Sequence, residues 1–209
     1  MSQLPTKPVL HYFDIGSLGR GEVVRLFLQD AGIKFEDKRY SPGDNWAATS
    51  TDLQAKRLSR TGKVPVLEYN GAILNQHIPI LRYLARELGS YEGKTSLEKY
   101  VVDAVADIYI DWRSQWASQL KAKTAEYKND FAPKYYKILA EYYSERAGPY
   151  LLGSNISYAD FAVYQSIDND ENIGTLPAEL PEPILKFKKA FEARPRIQSY
   201  LASGRSTKS

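Results

Sequence analysis

The sequence predicts an α/β unit followed by an all-helical unit, on three observations. Short β-like runs alternate with helical ones over roughly the first ninety residues, and helical periodicity holds almost throughout the rest. Between the two patterns lies a short Gly-rich stretch, GSYEGKT at residues 89–95. The expected domains are therefore residues 1–89 and residues 95–209.

The elements follow in order. Strands are predicted over Lys7–Tyr12, Lys34–Arg39, Val64–Tyr69 and Ala72–Leu74, the last two joined at Asn70-Gly71, a strong hairpin signal. A first helix, Gly21–Ala31, is stopped by Gly32, and another, Gln76–Leu88, by Gly89. The order reads βαβ, then ββα. Residues 38–62 are polar and irregular and predict a long loop with one helical turn at most. After the Gly-rich stretch, Leu97–Lys123 and Pro133–Arg146 read as two long helices. A further helix opens at Ser157, where Ser157 and Asp160 have the spacing of a capping box and Ile156 and Phe161 that of a hydrophobic staple. The polar end SGRSTKS is expected to be mobile.

Composition narrows the chemistry. The chain has 209 residues, enough to bury a core, and 28 Lys+Arg against 25 Asp+Glu leave a formal charge of only +3 with no basic stripe. Nucleic acid is not an expected partner. Cysteine is absent, which removes disulfides, thiolate metal sites and Cys nucleophiles together, and two histidines, His11 and His77, make a His-based metal site improbable. No apolar run approaches the ~20 residues of a membrane span. A soluble cytoplasmic protein with no metal and no membrane partner is expected.

Six local patterns then coincide in order and spacing: HYF at 11–13, GRGEVVR at 19–25, KVPVLEYNG at 63–71, LNQHIPILRYLARELG at 74–89, GKTSLEKYVVD at 93–103 and SYADF at 157–161. Together they resemble a cytosolic glutathione transferase of the tyrosine type, closest to the sigma class, from about Val9 to about Tyr200. The resemblance implies a thioredoxin-like N-terminal domain followed by an all-helical C-terminal domain, a homodimer, and glutathione as co-substrate or catalytic thiol. Periodicity supplies the order of elements but not the ligand.

An aromatic ending a first strand is usually packing. Within HYF, however, the resemblance makes Tyr12 the hydroxyl that donates to the glutathione sulfur and favours thiolate. The loop DIGSLGRGE is about two residues longer than the family's, and Ser17 within it is a rival donor or a turn residue. Phe13 accompanies Tyr12, and Arg20 braces this loop or the glutathione backbone, unless it is an ordinary solvated charge. Val64-Pro65 matches the cis proline of thioredoxin-like folds, so Val64 is expected to pair with the cysteinyl backbone of the ligand, with Lys63 beside it. Gln76 and His77 begin a helix, whose free N–H groups suit the γ-glutamyl carboxylate. The family has serine or threonine where His77 stands; a surface histidine is the plainer alternative. Lys56 and Trp46 are the candidates for the glycyl carboxylate.

Asp103, Asp107 and Asp111 recur along one side of a helix, the usual mark of a solvated acidic face. By resemblance Asp111 crosses the dimer interface to the glutathione α-amino group, with Asp107 as the substitute. Ile108, Trp112 and Trp116 form an aromatic stripe that is either core or site wall. The second substrate, a small hydrophobic electrophile or unsaturated compound, is expected over Ile15, Ile108 and Trp112, near Tyr164, in an apolar pocket. Conjugation is the leading activity; reversible addition that isomerises a double bond, or binding without catalysis, are the alternatives.

Overall fold

The computed structural model of the protein describes residues 7–205. Four strands, β1 (Val9–Phe13), β2 (Glu36–Tyr40), β3 (Val66–Tyr69) and β4 (Ala72–Asn75), form one mixed sheet in the order β2-β1-β3-β4. β1 runs parallel to β2, with Val9 opposite Glu36 and Phe13 opposite Tyr40, and antiparallel to β3. A parallel neighbour needs a crossover, which helix α1 (Arg20–Asp30) provides. The β3–β4 pair is the expected hairpin: Asn70 and Gly71 both have positive φ, 47° and 80°, as a tight two-residue turn between twisted strands demands. Helix α3 (His77–Leu88) completes a thioredoxin-like unit.

Residues 38–62 are more ordered than the sequence predicts, since helix α2 spans Trp46–Ala55. Only Leu53 of its ten residues is buried, so there is no apolar stripe for periodicity to detect. The other helices are α4 (Ser96–Gln119), α5 (Ala132–Ser144), α6 (Tyr158–Ile173), α7 (Glu182–Glu192) and α8 (Pro195–Ala202). A π-helical turn, Tyr127–Phe131, leads into α5.

The capping box of α6 forms as expected. Asp160 is fully buried and accepts from the Ser157 N–H at 2.7 Å, from the Leu151 N–H at 3.1 Å and from the Tyr143 hydroxyl at 2.7 Å. The corner before α6, the α6 start and α5 are thereby tied to one carboxylate.

α1 is the joint between the two units. It packs on α3 within the first and on α6 and α8 of the second, with Phe27 at 5.1 Å from Phe161 between ring centroids. Nine of its eleven residues are buried, among them Glu22, Arg25 and Asp30. Each of these charges has a partner: Arg194 grips Asp30 through two 2.6 Å bonds, and Arg205 reaches Glu22 at 2.7 Å and Asp168 at 2.8 Å. Of the C-terminal end expected to be mobile, Arg205 is thus held by two helices; residues 206–209 lie outside the described residues. No helix among the described residues is long and apolar enough to cross a membrane.

Candidate active site

Tyr12 lies near the C-terminal end of β1, and its ring is 4% exposed. Two glycines make room for it. A Cβ on Gly19 would meet the Tyr12 hydroxyl at 2.5 Å, and one on Gly21 would meet the ring at 2.2 Å, so the GRG sequence is required by close approach. Gly19 also has φ of 80°, which disfavours any side chain. The Arg25 guanidinium lies 5.7 Å from the ring centroid, and the Arg20 N–H, opening α1, donates to the Tyr12 hydroxyl at 2.9 Å. That bond occupies an oxygen lone pair. The phenolic proton has no acceptor among the described residues and stays available to a ligand. Ser17 is buried in the loop between β1 and α1, which is pinned to the helical unit where Gly19 N–H donates to Asn169 Oδ1 at 3.3 Å.

Three further elements converge on this end of β1. Phe13 packs on Trp46, which opens α2, at 4.4 Å between centroids. Lys56, at the other end of α2, is exposed and bonded to Asp52 at 2.7 Å. The Val64–Pro65 bond is cis, and pairing of β3 begins only at Val66, which leaves the Val64 backbone outside the ladder. Lys63 is exposed, and its carbonyl accepts from the Ser59 hydroxyl at 2.7 Å.

At the start of α3, Gln76 is exposed and holds φ of 70°, a conformation uncommon for a residue with a side chain and most often kept where function requires it. The first backbone bond of the helix runs from Ile80 N–H to Gln76 C=O, so the N–H groups of His77 and Ile78 lack helical acceptors. Pro79, third in the helix, has no N–H to leave unpaired.

His77 is not a surface histidine. It is 2% exposed, sits edge-on to Tyr109 at 5.7 Å, and neither ring nitrogen has a hydrogen-bond partner among the described residues. Burial, reinforced by Arg20 and Arg113, pushes its pKa down to about 3 and holds the imidazole neutral.

Helix α4 walls the site. Tyr109, Trp112 and Trp116 are fully buried and stack in series, with Tyr135 on Trp112. Trp112 and Trp116 thus pack into the core, and Ile108 beside them is half-buried. Tyr164 is buried, stacked on Phe191 at 4.2 Å with its hydroxyl donating to Glu192. Ile15 is half-buried, with its side chain 3.4 Å from where a Gly19 Cβ would stand.

Tyr109, Arg113 and Asn169 are contributors that sequence reasoning missed. Val105, Tyr109, Trp112 and Trp116 share the buried face of α4, so a strict 3.6-residue count would have included Tyr109. Arg113 lies 4.6 Å over Trp116, and its Nε, like that of Arg20, is buried without an acceptor among the described residues. The wall is therefore not purely apolar, as the sequence suggested.

The acids of α4 divide. Asp103 is bonded to Arg82 at 2.8 Å and to the Tyr158 hydroxyl, whereas Asp107 and Asp111 are exposed and unpaired among the described residues. No group of three or more His, Cys, Asp or Glu among the described residues could hold a metal ion.

Comparison with known proteins agrees with this geometry. The family described as "Glutathione S-transferase, N-terminal domain" matches residues 8–86, and "Glutathione S-transferase, C-terminal domain" matches residues 110–204. Glutathione S-transferase 1 of Ascaris suum is 30% identical over 207 residues, covering 92% of this chain and 94% of its own. Hematopoietic prostaglandin D synthase of Gallus gallus is 34% identical over 158 residues, 73% of each chain. Among solved structures, a Caenorhabditis elegans glutathione S-transferase superposes with a TM-score of 0.80 at 28% identity, covering 96% of this chain and 98% of that one.

Proposed function

The chain belongs to the glutathione S-transferase family and is a glutathione transferase, and from that premise we propose that Tyr12 holds the glutathione sulfur as a thiolate for addition to a hydrophobic electrophile. One observation carries the assignment: the Tyr12 oxygen accepts from the Arg20 N–H, while its own proton has no acceptor among the described residues. A free thiol with a pKa of ~8.5 is a few per cent ionised at neutral pH, and a shift of ~2 units, ~2.7 kcal/mol, makes thiolate the main species. The thiol proton passes to water. The sulfur then forms the C–S bond while the electrophile's leaving group departs, or a carbon takes up a proton. Ser17, buried in the same loop, is the competing donor.

The remaining contacts follow from the frame around Tyr12. The γ-glutamyl carboxylate lies against the free N–H groups of His77 and Ile78 with Gln76 beside it, and the cysteinyl backbone pairs with Val64. The glycyl carboxylate takes Lys56 and Trp46, with Lys63 near. Lys56 is held only by an exposed ion pair worth about 0–1 kcal/mol, so turning it to the ligand costs little. The α-amino group takes Asp111 of the partner subunit in a homodimer. Leu97 and Tyr100, each about two-thirds exposed, lie on the same face of α4 as Asp107 and Asp111 and supply apolar area for that interface. The electrophile lies over Ile15 and Ile108, within reach of Arg20 and Arg113.

A second reading, reversible addition that isomerises an activated double bond, uses the same Tyr12-held thiolate and rests on the same hydroxyl. Incubation with glutathione and a panel of electrophiles and activated alkenes, following both thiol loss and product identity, separates the two. Conjugation consumes thiol in step with product. Turnover without thiol loss establishes isomerisation, and no turnover with any member removes the proposal.

A further inference from the structure

Along β2 a groove of about 990 Å³ runs between that strand, helix α1 and helix α8. Its lining extends from Lys7 and Phe35, just before β1 and β2, to Arg39, the register partner of Tyr12. None of the residues assigned above to glutathione or its electrophile lines it.

The groove is strongly cationic in a chain that is not. Lys7, Arg25, Lys34, Arg39, Arg196 and Arg205 line it, against a single lining carboxylate, Asp37. Asp37 already holds two guanidiniums, accepting from Arg25 at 3.0 Å and from Arg39 at 2.8 Å. Arg205 is matched by Glu22 and Asp168. Lys7, Lys34 and Arg196 have no carboxylate partner among the described residues; Arg196 donates only to the Asp30 carbonyl, at 2.9 Å. Three cations thus converge on one concavity without counter-charge, where their fields add.

The walls between these charges are mixed, with Gln29, Ser199 and Ser203 beside apolar and aromatic side chains. Alternation along the strand puts Phe35, Asp37 and Arg39 on one side of β2, and Ile33 and Tyr200 also line the groove. A nucleic-acid strand would need charges extended along a surface, contacting many phosphates, whereas here they gather around one open groove of small-molecule size. We propose that this groove is a second ligand site, taking a small polyanion that carries an aromatic body, of the nucleoside polyphosphate class. The phosphates lie among Lys7, Lys34 and Arg196, and the base lies against Phe35 and Tyr200.

The test is calorimetric titration of the full chain with ATP, adenosine and tripolyphosphate, without divalent metal and in saturating glutathione. ATP is expected to bind saturably and more tightly than either fragment, and less tightly as salt rises. Lys7→Ala/Lys34→Ala, which removes two exposed side chains with no carboxylate partner among the described residues, is expected to weaken ATP at least about tenfold with unchanged conjugation rate and thermal midpoint. Arg196→Ala should weaken it in the same direction. No saturable binding, equal affinity in the parent and double variant, or displacement of ATP by glutathione would each overturn the site. Tripolyphosphate binding as tightly as ATP would overturn the aromatic part of the ligand.

Discussion

At the scale of single residues, the site depends on groups whose partners are incomplete. Tyr12→Phe removes one oxygen and leaves the ring among Gly19, Gly21 and Arg25, so folding and glutathione affinity should change little. The charge-assisted bond it removes is typically worth ~1.5 to 3 kcal/mol, or roughly ten- to a hundredfold in turnover. Thiolate absorbance of the bound ligand, titrated against pH, should show a raised thiol pKa; a raised pKa in Ser17→Ala instead would move the donor to Ser17. His77 makes a different prediction. The folded protein holds the imidazole neutral down to about pH 3, while the unfolded chain protonates it below about 6.5. The unfolded state therefore binds the extra proton, and the contribution present above pH 6.5 is lost as pH falls, at up to about 1.4 kcal/mol per unit. Urea unfolding between pH 7 and 5 should show this slope, and His77→Ser should flatten it; an equal slope in both proteins would place the titration elsewhere. The serine variant should also bind glutathione at least as well, because the backbone N–H groups remain.

At the scale of elements, legibility tracked burial. The β3–β4 hairpin was readable because Asn70-Gly71 imposes its geometry locally, α3 because Gly89 stops it, and α6 because the Ser157–Asp160 box opens it. Helix α2 was not, since a helix that buries only Leu53 has no periodic signature, and α7 and α8 were foreseen only as part of a helical region. The candidate site was readable in the same uneven way. Tyr12, Val64 and Gln76 sit where local motifs place them, whereas Asn169 meets Gly19 across 150 residues of sequence and only folding reveals it. The buried cap of α6 can be tested on its own. Asp160→Ala strands the Leu151 and Ser157 N–H groups and the Tyr143 hydroxyl at once, so a loss on the order of 3 kcal/mol is expected in chemical denaturation. A loss below about 1 kcal/mol would show that these donors find other acceptors.

At the scale of the whole molecule, the two units share one core and, as we propose, two subunits share each site. Asp111→Ala should then weaken glutathione binding by roughly tenfold without altering subunit association, while Leu97→Glu/Tyr100→Glu should favour monomers that lose affinity as well. Sedimentation at micromolar concentration with parallel titrations checks both. An unchanged affinity in Asp111→Ala would return that carboxylate to the solvated face.

Arg205 also bears on the order in which the protein is made. Its guanidinium closes on Glu22 across 183 residues of sequence, and at ~5–20 residues per second a ribosome takes roughly 10 to 40 s to cover that span. Until α6 and α8 emerge late in that interval, α1, built to be buried on nearly every side, has only the sheet and α3 to cover it. Maturation of α1 thus waits on a residue translated 183 positions after Glu22. Chains ending at Ser203 should be cut within α1 by a protease added during synthesis and after release alike, whereas full-length chains should become resistant soon after release. Resistance acquired equally by both would mean that α6 and α8 alone shield the helix.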